Sequence, residues 1–176
     1  MHDPALIRWL APAAALVAGP ACATTYLTLE QAQQKLFPGQ TLEELAIELD
    51  AGQWRAVEEQ AGTRPRERRL RVWKSADGGY FYLDRVIGKH ELITYALALD
   101  AEGRVKGLEI LDYRESYGGQ VRNPKWRGQF VGKRHGDAVE LDVDIVNLSG
   151  ATLSCRHITQ GVRRLLAAHA IAVAGQ

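Results

Sequence analysis

Leu92-Ile93-Thr94-Tyr95-Ala96-Leu97-Ala98-Leu99, then Asp100-Ala101-Glu102-Gly103, then Val105-Lys106-Gly107-Leu108-Glu109-Ile110-Leu111 is the stretch that decides the fold. Two apolar runs of strand length flank a short acidic, glycine-bearing segment, which is the composition of a hairpin loop. Upstream, Leu70-Arg71-Val72-Trp73 and Tyr80-Phe81-Tyr82-Leu83 flank Asp77-Gly78-Gly79, a second hairpin signal. Four consecutive strands joined by short turns predict an antiparallel meander.

Outward from the meander the signals become helical. Thr28-Leu29-Glu30-Gln31 has capping-box spacing and predicts a helix to about Phe37, stopped by Pro38-Gly39. Leu45, Ile47 and Leu49 alternate as in a half-buried strand, and Asp50 is placed to cap a helix through Trp54 and Val57 to about Gln60. Arg64-Pro65-Arg66-Glu67-Arg68-Arg69 reads as a solvated loop entering a strand. Beyond Tyr113, Glu115-Ser116-Tyr117-Gly118-Gly119 is an aperiodic loop, and Asn123-Pro124 starts a short helix through Trp126 to Phe130. Val139 to Val143 alternates and predicts one more strand. Ile158, Val162, Leu165, Leu166 and Val173 recur at helical spacing in a last helix from about Thr152, with His169 at the edge of its packed face. The expected fold class is α+β, a twisted antiparallel sheet with packed helices.

Composition narrows the function. The chain has 176 residues, 46% hydrophobic and 24% charged, with a formal charge of +1. That length suits one domain, and the near-neutral charge excludes the basic excess that nucleic-acid binding requires. A membrane-surface role gains no support from it either. Residues 1–23 read as a signal peptide: Arg8, an apolar stretch from Trp9 to Ala18, and Ala21-Cys22-Ala23 as a small-x-small cleavage site. Cleavage after Ala23 would release residues 24–176 as one domain into the periplasm, with Cys155 as its single cysteine and hence no internal disulfide. Lipidation of Cys22 is the alternative, which Pro20 fits badly.

The chemistry centres on Asn147-Leu148-Ser149-Gly150-Ala151-Thr152-Leu153-Ser154. Small residues at the start of an amphipathic helix place free N–H groups and the positive dipole end together, which favours an anion. Gly150 and Ala151 let a phosphate approach, and Ser149, Thr152 and Ser154 can donate to it; the same residues also read as an ordinary Ser/Thr cap and glycine turn. Cys155 and His157 lie two apart and point to different faces of a helix, so they make a poor metal pair. No catalytic acid, base or nucleophile stands out, and no metal site is assigned.

Ser149-Gly150-Ala151-Thr152 resembles the flavinylation motif of the FMN-binding domain family, found in subunits of sodium-pumping and Rnf-type electron transport complexes and in the nitrous oxide reduction regulator. Glu115-Ser116-Tyr117-Gly118-Gly119 resembles that family's glutamate and glycine loop, Trp126 to Phe130 its short helix, and the meander containing Gly88-Lys89-His90 is similar as well. The resemblance implies FMN as cofactor, joined through a phosphoester to Thr152 by a flavin transferase. It implies contacts from Ser149, Gly150, Ala151, Leu153 and Ser154 and from Glu115, Ser116, Tyr117, Gly118 and Gly119. Tyr117 and Trp126 are candidates to stack on the ring, or, for Trp126, to anchor its helix. The family commonly has aspartate three residues before the motif's serine; Val146 stands there, and Asp144 is the nearest acid. The implied function is an electron carrier serving a membrane-bound redox complex or a soluble carrier, the alternative being a redox-sensing or regulatory module for a respiratory complex.

Overall fold

The structure, a computed structural model, describes residues 24–174; the expected signal peptide, residues 1–23, lies outside them. The elements are β1 (Thr24–Thr25), α1 (Leu29–Leu36), β2 (Leu42–Glu48), α2 (Ala51–Ala61), β3 (Arg69–Ser75), β4 (Tyr80–Ile87), β5 (Leu92–Leu99), β6 (Val105–Tyr113), α3 (Pro124–Arg127) and α4 (Thr152–Ala168). All strands pair antiparallel in one sheet of order β1-β6-β5-β4-β3-β2, so the fold is α+β as expected.

Alternation along the strands builds a core on each face. Val72, Tyr82, Tyr95, Leu97 and Leu99 meet Ile158, Val162, Leu165 and Leu166 of α4 and Val57 and Ala61 of α2. Trp73, Phe81, Ala96, Ala98 and Leu111 face the other way, onto Ala32, Leu36 and Phe37 at α1. Each large buried side chain contributes about 1.5–3 kcal/mol. Two glycines set how deeply the helices sit. A Cβ on Gly107 would lie 2.6 Å from Leu36 Cδ2, and one on Gly161 would collide with the Tyr95 hydroxyl and stand 2.9 Å from Val86 Cγ1. Helix α4 is further held by a buried ion pair, in which Arg164 Nη2 donates to Asp84 Oδ2 at 2.6 Å while the Tyr95 hydroxyl donates to the same oxygen at 2.7 Å.

The anticipated capping box of Thr28 with Gln31 forms, and Asp50 caps its helix as expected, completing a further box with Gln53. The expected strand at Val139–Val143 does not. Asp144 accepts from the N–H groups of Val139 and Glu140 and from Lys133 Nζ, and the Glu140 carbonyl accepts from the next turn, Val143 to Ile145. These local bonds out-compete pairing and coil the segment, with positive φ at Val139 and Asp142 and one bridge between Leu141 and Ile145. Val139 and Ile145 reach the core, while Val143 stays at the surface. His169 is also deeper than the edge position expected. It lies in a π-helical turn after α4 (His169–Val173), 6% exposed, with Nδ1 2.8 Å from the Tyr82 hydroxyl, and burial lowers its pKa to about 4.

Candidate functional site

Antiparallel order brings three segments to one end of the sheet: the β4–β5 turn, the loop after β6 and the start of α4. They enclose a cavity of about 460 Å³ walled by Lys89, His90, Glu115, Ser116, Tyr117, Gly118, Gly150, Ala151, Thr152, Leu153 and Ser154. Small-molecule sites commonly occupy about 300–1,000 Å³.

Three side chains tie the walls together. The Glu115 carboxylate accepts from the N–H groups of His90 (2.5 Å) and Glu91 (2.9 Å). Burial opposes its charge, but the Glu91, His90 and Lys89 N–H groups outweigh burial and hold the carboxyl below the usual range. The Tyr113 hydroxyl donates to the Tyr117 carbonyl at 2.5 Å and lies 3.0 Å from Ser154 Oγ, joining the loop to α4. Gly118 sits against that hydroxyl with φ +89°, and a Cβ there would be 2.5 Å from it. His157 Nδ1 lies 2.5 Å from the Ile87 carbonyl and 3.0 Å from that of Gly88, so it carries the proton and binds α4 to the β4–β5 turn.

The start of α4 is open. Its N-cap is Ala151, no side chain caps it, and the first intrahelical bond of this turn runs from Cys155 N–H to the Ala151 carbonyl. The N–H groups of Thr152, Leu153 and Ser154 therefore have no acceptor within the helix. Gly150, at φ +81°, leaves the approach clear: the nearest atom to a Cβ there is Gln120 Nε2 at 3.7 Å. Uncapped donors, a clear approach and a cavity of sufficient volume fit a phosphate-bearing aromatic cofactor.

Residues 88–167 match the family model described as FMN-binding domain. The chain carries an FMN-binding domain. Its cofactor is FMN. No curated protein gives a significant match to the chain. The matched stretch of the FMN-binding domain contains β5, β6 and nearly all of α4, and the same sheet continues into β4, β3 and β2.

Nine of the residues anticipated for the cofactor wall this cavity; Ser149 and Gly119 stand outside its lining, although adjacent to it in the chain. Ser154 is corrected in role: its hydroxyl is buried against Tyr113, whose own proton goes to Tyr117, so Ser154 is a strut between the loop and α4. Of the two readings of Trp126, anchoring is the one the fold supports. The side chain is 2% exposed, donates from Nε1 to the Val146 carbonyl and packs edge-on against Phe130, so it anchors its helix. Tyr117 is 85% exposed at the cavity wall and free to cover a ring. Lys89 and His90 were not anticipated as wall residues; the signal was hairpin parity, because the β4–β5 turn and the end of β6 must fall at the same end of the sheet. The place of the family's aspartate holds no carboxylate: exposed Val146 stands there, and Asp144, the nearest acid, is engaged with Lys133 and the 139–145 turn. Burial pushes the Cys155 thiol up, against a nucleophilic role. Among the described residues no group of three or more His, Cys, Asp or Glu is placed to hold a metal.

Proposed function

We propose that this protein is an exported electron carrier in which residues 24–176 form one FMN-binding domain and the FMN phosphate is esterified to Thr152 Oγ1 by a flavin transferase. The observation that carries the reading is the uncapped start of α4, with half-buried Thr152 as its first residue and as part of the cavity wall. Three N–H groups and the helix dipole favour the phosphate there, and Thr152 is the hydroxyl of the motif that is both at the wall and without a hydrogen-bond partner among the described residues, Ser154 being bound to Tyr113.

Bound FMN supplies reversible one- and two-electron chemistry. This chain's residues bind and orient: α4 holds the phosphate, Gly150 and Ala151 admit it, and the Glu115 and Tyr113 ties fix the opposite walls. Tyr117 screens one side from water. The export reading draws on the sequence of residues 1–23 and on β1: Thr24 and Thr25, immediately after the expected cut, already pair with Tyr113 and Asp112 of β6. A covalent tether suits a compartment in which lost cofactor is not replaced. The electron partner is a membrane-bound redox complex or a soluble carrier, and no helix among the described residues is long and apolar enough to cross a membrane.

The test is to co-express wild type and Thr152→Val with a flavin transferase, denature both, and look for flavin fluorescence on the separated protein band. Fluorescence on wild type alone is expected, and fluorescence persisting on Thr152→Val refutes the attachment. N-terminal sequencing of the exported protein tests cleavage after Ala23.

A further inference from the structure

We infer that an acidic surface of the electron-exchanging partner docks in a basic cleft beside the FMN cavity, between residues 63–66, the end of β4 and the middle of α4. The inference rests on the electron-carrier reading above. The cleft, about 360 Å³ and open to solvent, is walled by Arg64, Arg66, His157, Gln160 and Arg164, with Ile87 at its edge; no carboxylate lines it. Arg64 is bound to Glu58 and Arg164 to Asp84, which leaves the Arg66 guanidinium without a partner among the described residues. Buried Pro65 holds the loop that presents it. The basic run that reads in sequence as a merely solvated loop is thus fixed against α4.

Extent and position identify the occupant. Arg66 also walls a neighbouring cleft with Arg69, Arg71 and Arg85; Glu67 and Asp84 line that cleft too, Glu67 pairing with Arg85, Asp84 with Arg164 and Glu44 with Arg69, so the uncompensated charge of the strip is that of Arg66 and Arg71, two guanidiniums that match carboxylates presented together on one surface. Ile87, 47% exposed, adds an apolar contact at the rim, as protein interfaces use. The strip ends at the redox site: Ile87 is two residues from Lys89 of the FMN cavity, and His157 follows Ser154 by one turn of α4, a rise of about 4.5 Å. A carboxylate-rich partner seated there is brought against the cavity wall, and charge steers its approach.

The experiment uses FMN-loaded, fully reduced protein, oxidised by ferricyanide or by hexaammineruthenium(III). Two ions of either complex take one electron each from one reduced FMN, and the protons go to solvent. At an ionic strength of about 10 mM, Arg66→Glu is expected to slow oxidation by ferricyanide about three- to tenfold and to speed oxidation by the ruthenium complex, both effects shrinking at about 0.5 M. Arg104→Glu makes the same change in net charge on the β5–β6 turn, at the opposite end of β5, and is expected to track wild type. Poly-L-glutamate, a stand-in for an acidic protein surface, is expected to inhibit ferricyanide oxidation of wild type more than sulfate at equal ionic strength, and to lose that advantage on Arg66→Glu. Equal rates for Arg66→Glu and wild type overturn the docking cleft while leaving the electron carrier intact. Sulfate matching poly-L-glutamate replaces the partner with a small anion and also overturns it. Reduced protein that passes electrons to neither complex contradicts the electron-carrier reading, and the cleft with it.

Discussion

Replacing Gly118 by alanine places a methyl group 2.5 Å from the Tyr113 hydroxyl and 3.0 Å from Ser154 Oγ, at a backbone φ of +89°. Left-handed backbone costs a non-glycine residue about 1–2 kcal/mol. Moving the Tyr113 hydroxyl also strands the Ser154 hydroxyl and the Tyr117 carbonyl it joins, a further cost of about 1–3 kcal/mol. The expected loss of stability is therefore about 2–5 kcal/mol, read as a shift in the urea midpoint of FMN-free protein. Because the same contact fixes the loop against the start of α4, FMN titration of the folded variant should show affinity down by about tenfold or more, equivalent to about 1.4 kcal/mol. Gly128→Ala is the control: its φ is −61° and a Cβ there meets nothing within 4 Å, so neither stability nor affinity should fall. A Gly118→Ala protein within about 0.5 kcal/mol of wild type that binds FMN normally refutes the account of how these walls are held.

Other tests address the remaining walls and the core. Glu115→Gln keeps the shape but exchanges a charged acceptor for a neutral amide, so amide exchange at His90 and Glu91 should accelerate, with a stability loss of about 1–3 kcal/mol; unchanged protection there argues against the tie. Gly150→Val puts a branched side chain at φ +81° on the phosphate approach, and should weaken FMN binding in a protein that still folds; unchanged affinity places the phosphate elsewhere. For His169 the folded pKa, about 4, lies below the unfolded value of about 6.5, so the unfolded state takes up the proton first. Stability should hold above about pH 6.5 and fall as pH drops through that window to about 4, by up to about 2–3 kcal/mol, and His169→Gln should flatten this part of the urea-midpoint profile.

The parts of the fold written in adjacent residues were readable before any coordinates. Thr28 with Gln31, and Asp50 as an N-cap, declare their helices because a cap is closed within three residues. The hairpins at Asp77-Gly78-Gly79 and Asp100-Ala101-Glu102-Gly103 are equally local. Val139 to Val143 failed because alternation is shared by strands and by a coil whose side chains turn in and out, and the deciding partner, Lys133 on Asp144, lies outside the window. At the site, the helix start and the glycine loop were legible as two separate motifs. What joins them was not: Tyr113 to Ser154 spans 41 residues and Glu115 to His90 spans 25, contacts that only the sheet order creates. The same long-range logic hid Lys89 and His90, and it converted Ser154 from a donor toward phosphate into a brace.

Gly161 has reach well beyond its own neighbourhood. It is where α4 rests on the sheet, against Tyr95 and Val86, and Thr152 stands nine residues away on the same rigid helix, a rise of about 13 Å. The helix behaves as a lever with its fulcrum at the glycine. Any side chain at 161 that lifts the middle of the rod also tilts its free end, where, in the proposed site, three N–H groups would converge on one phosphate. A substitution there would look like a flavin-site defect in every binding assay while touching nothing in the cavity, and compensation would be found under the helix, by trimming Tyr95 or Val86, before it was found beside the cofactor.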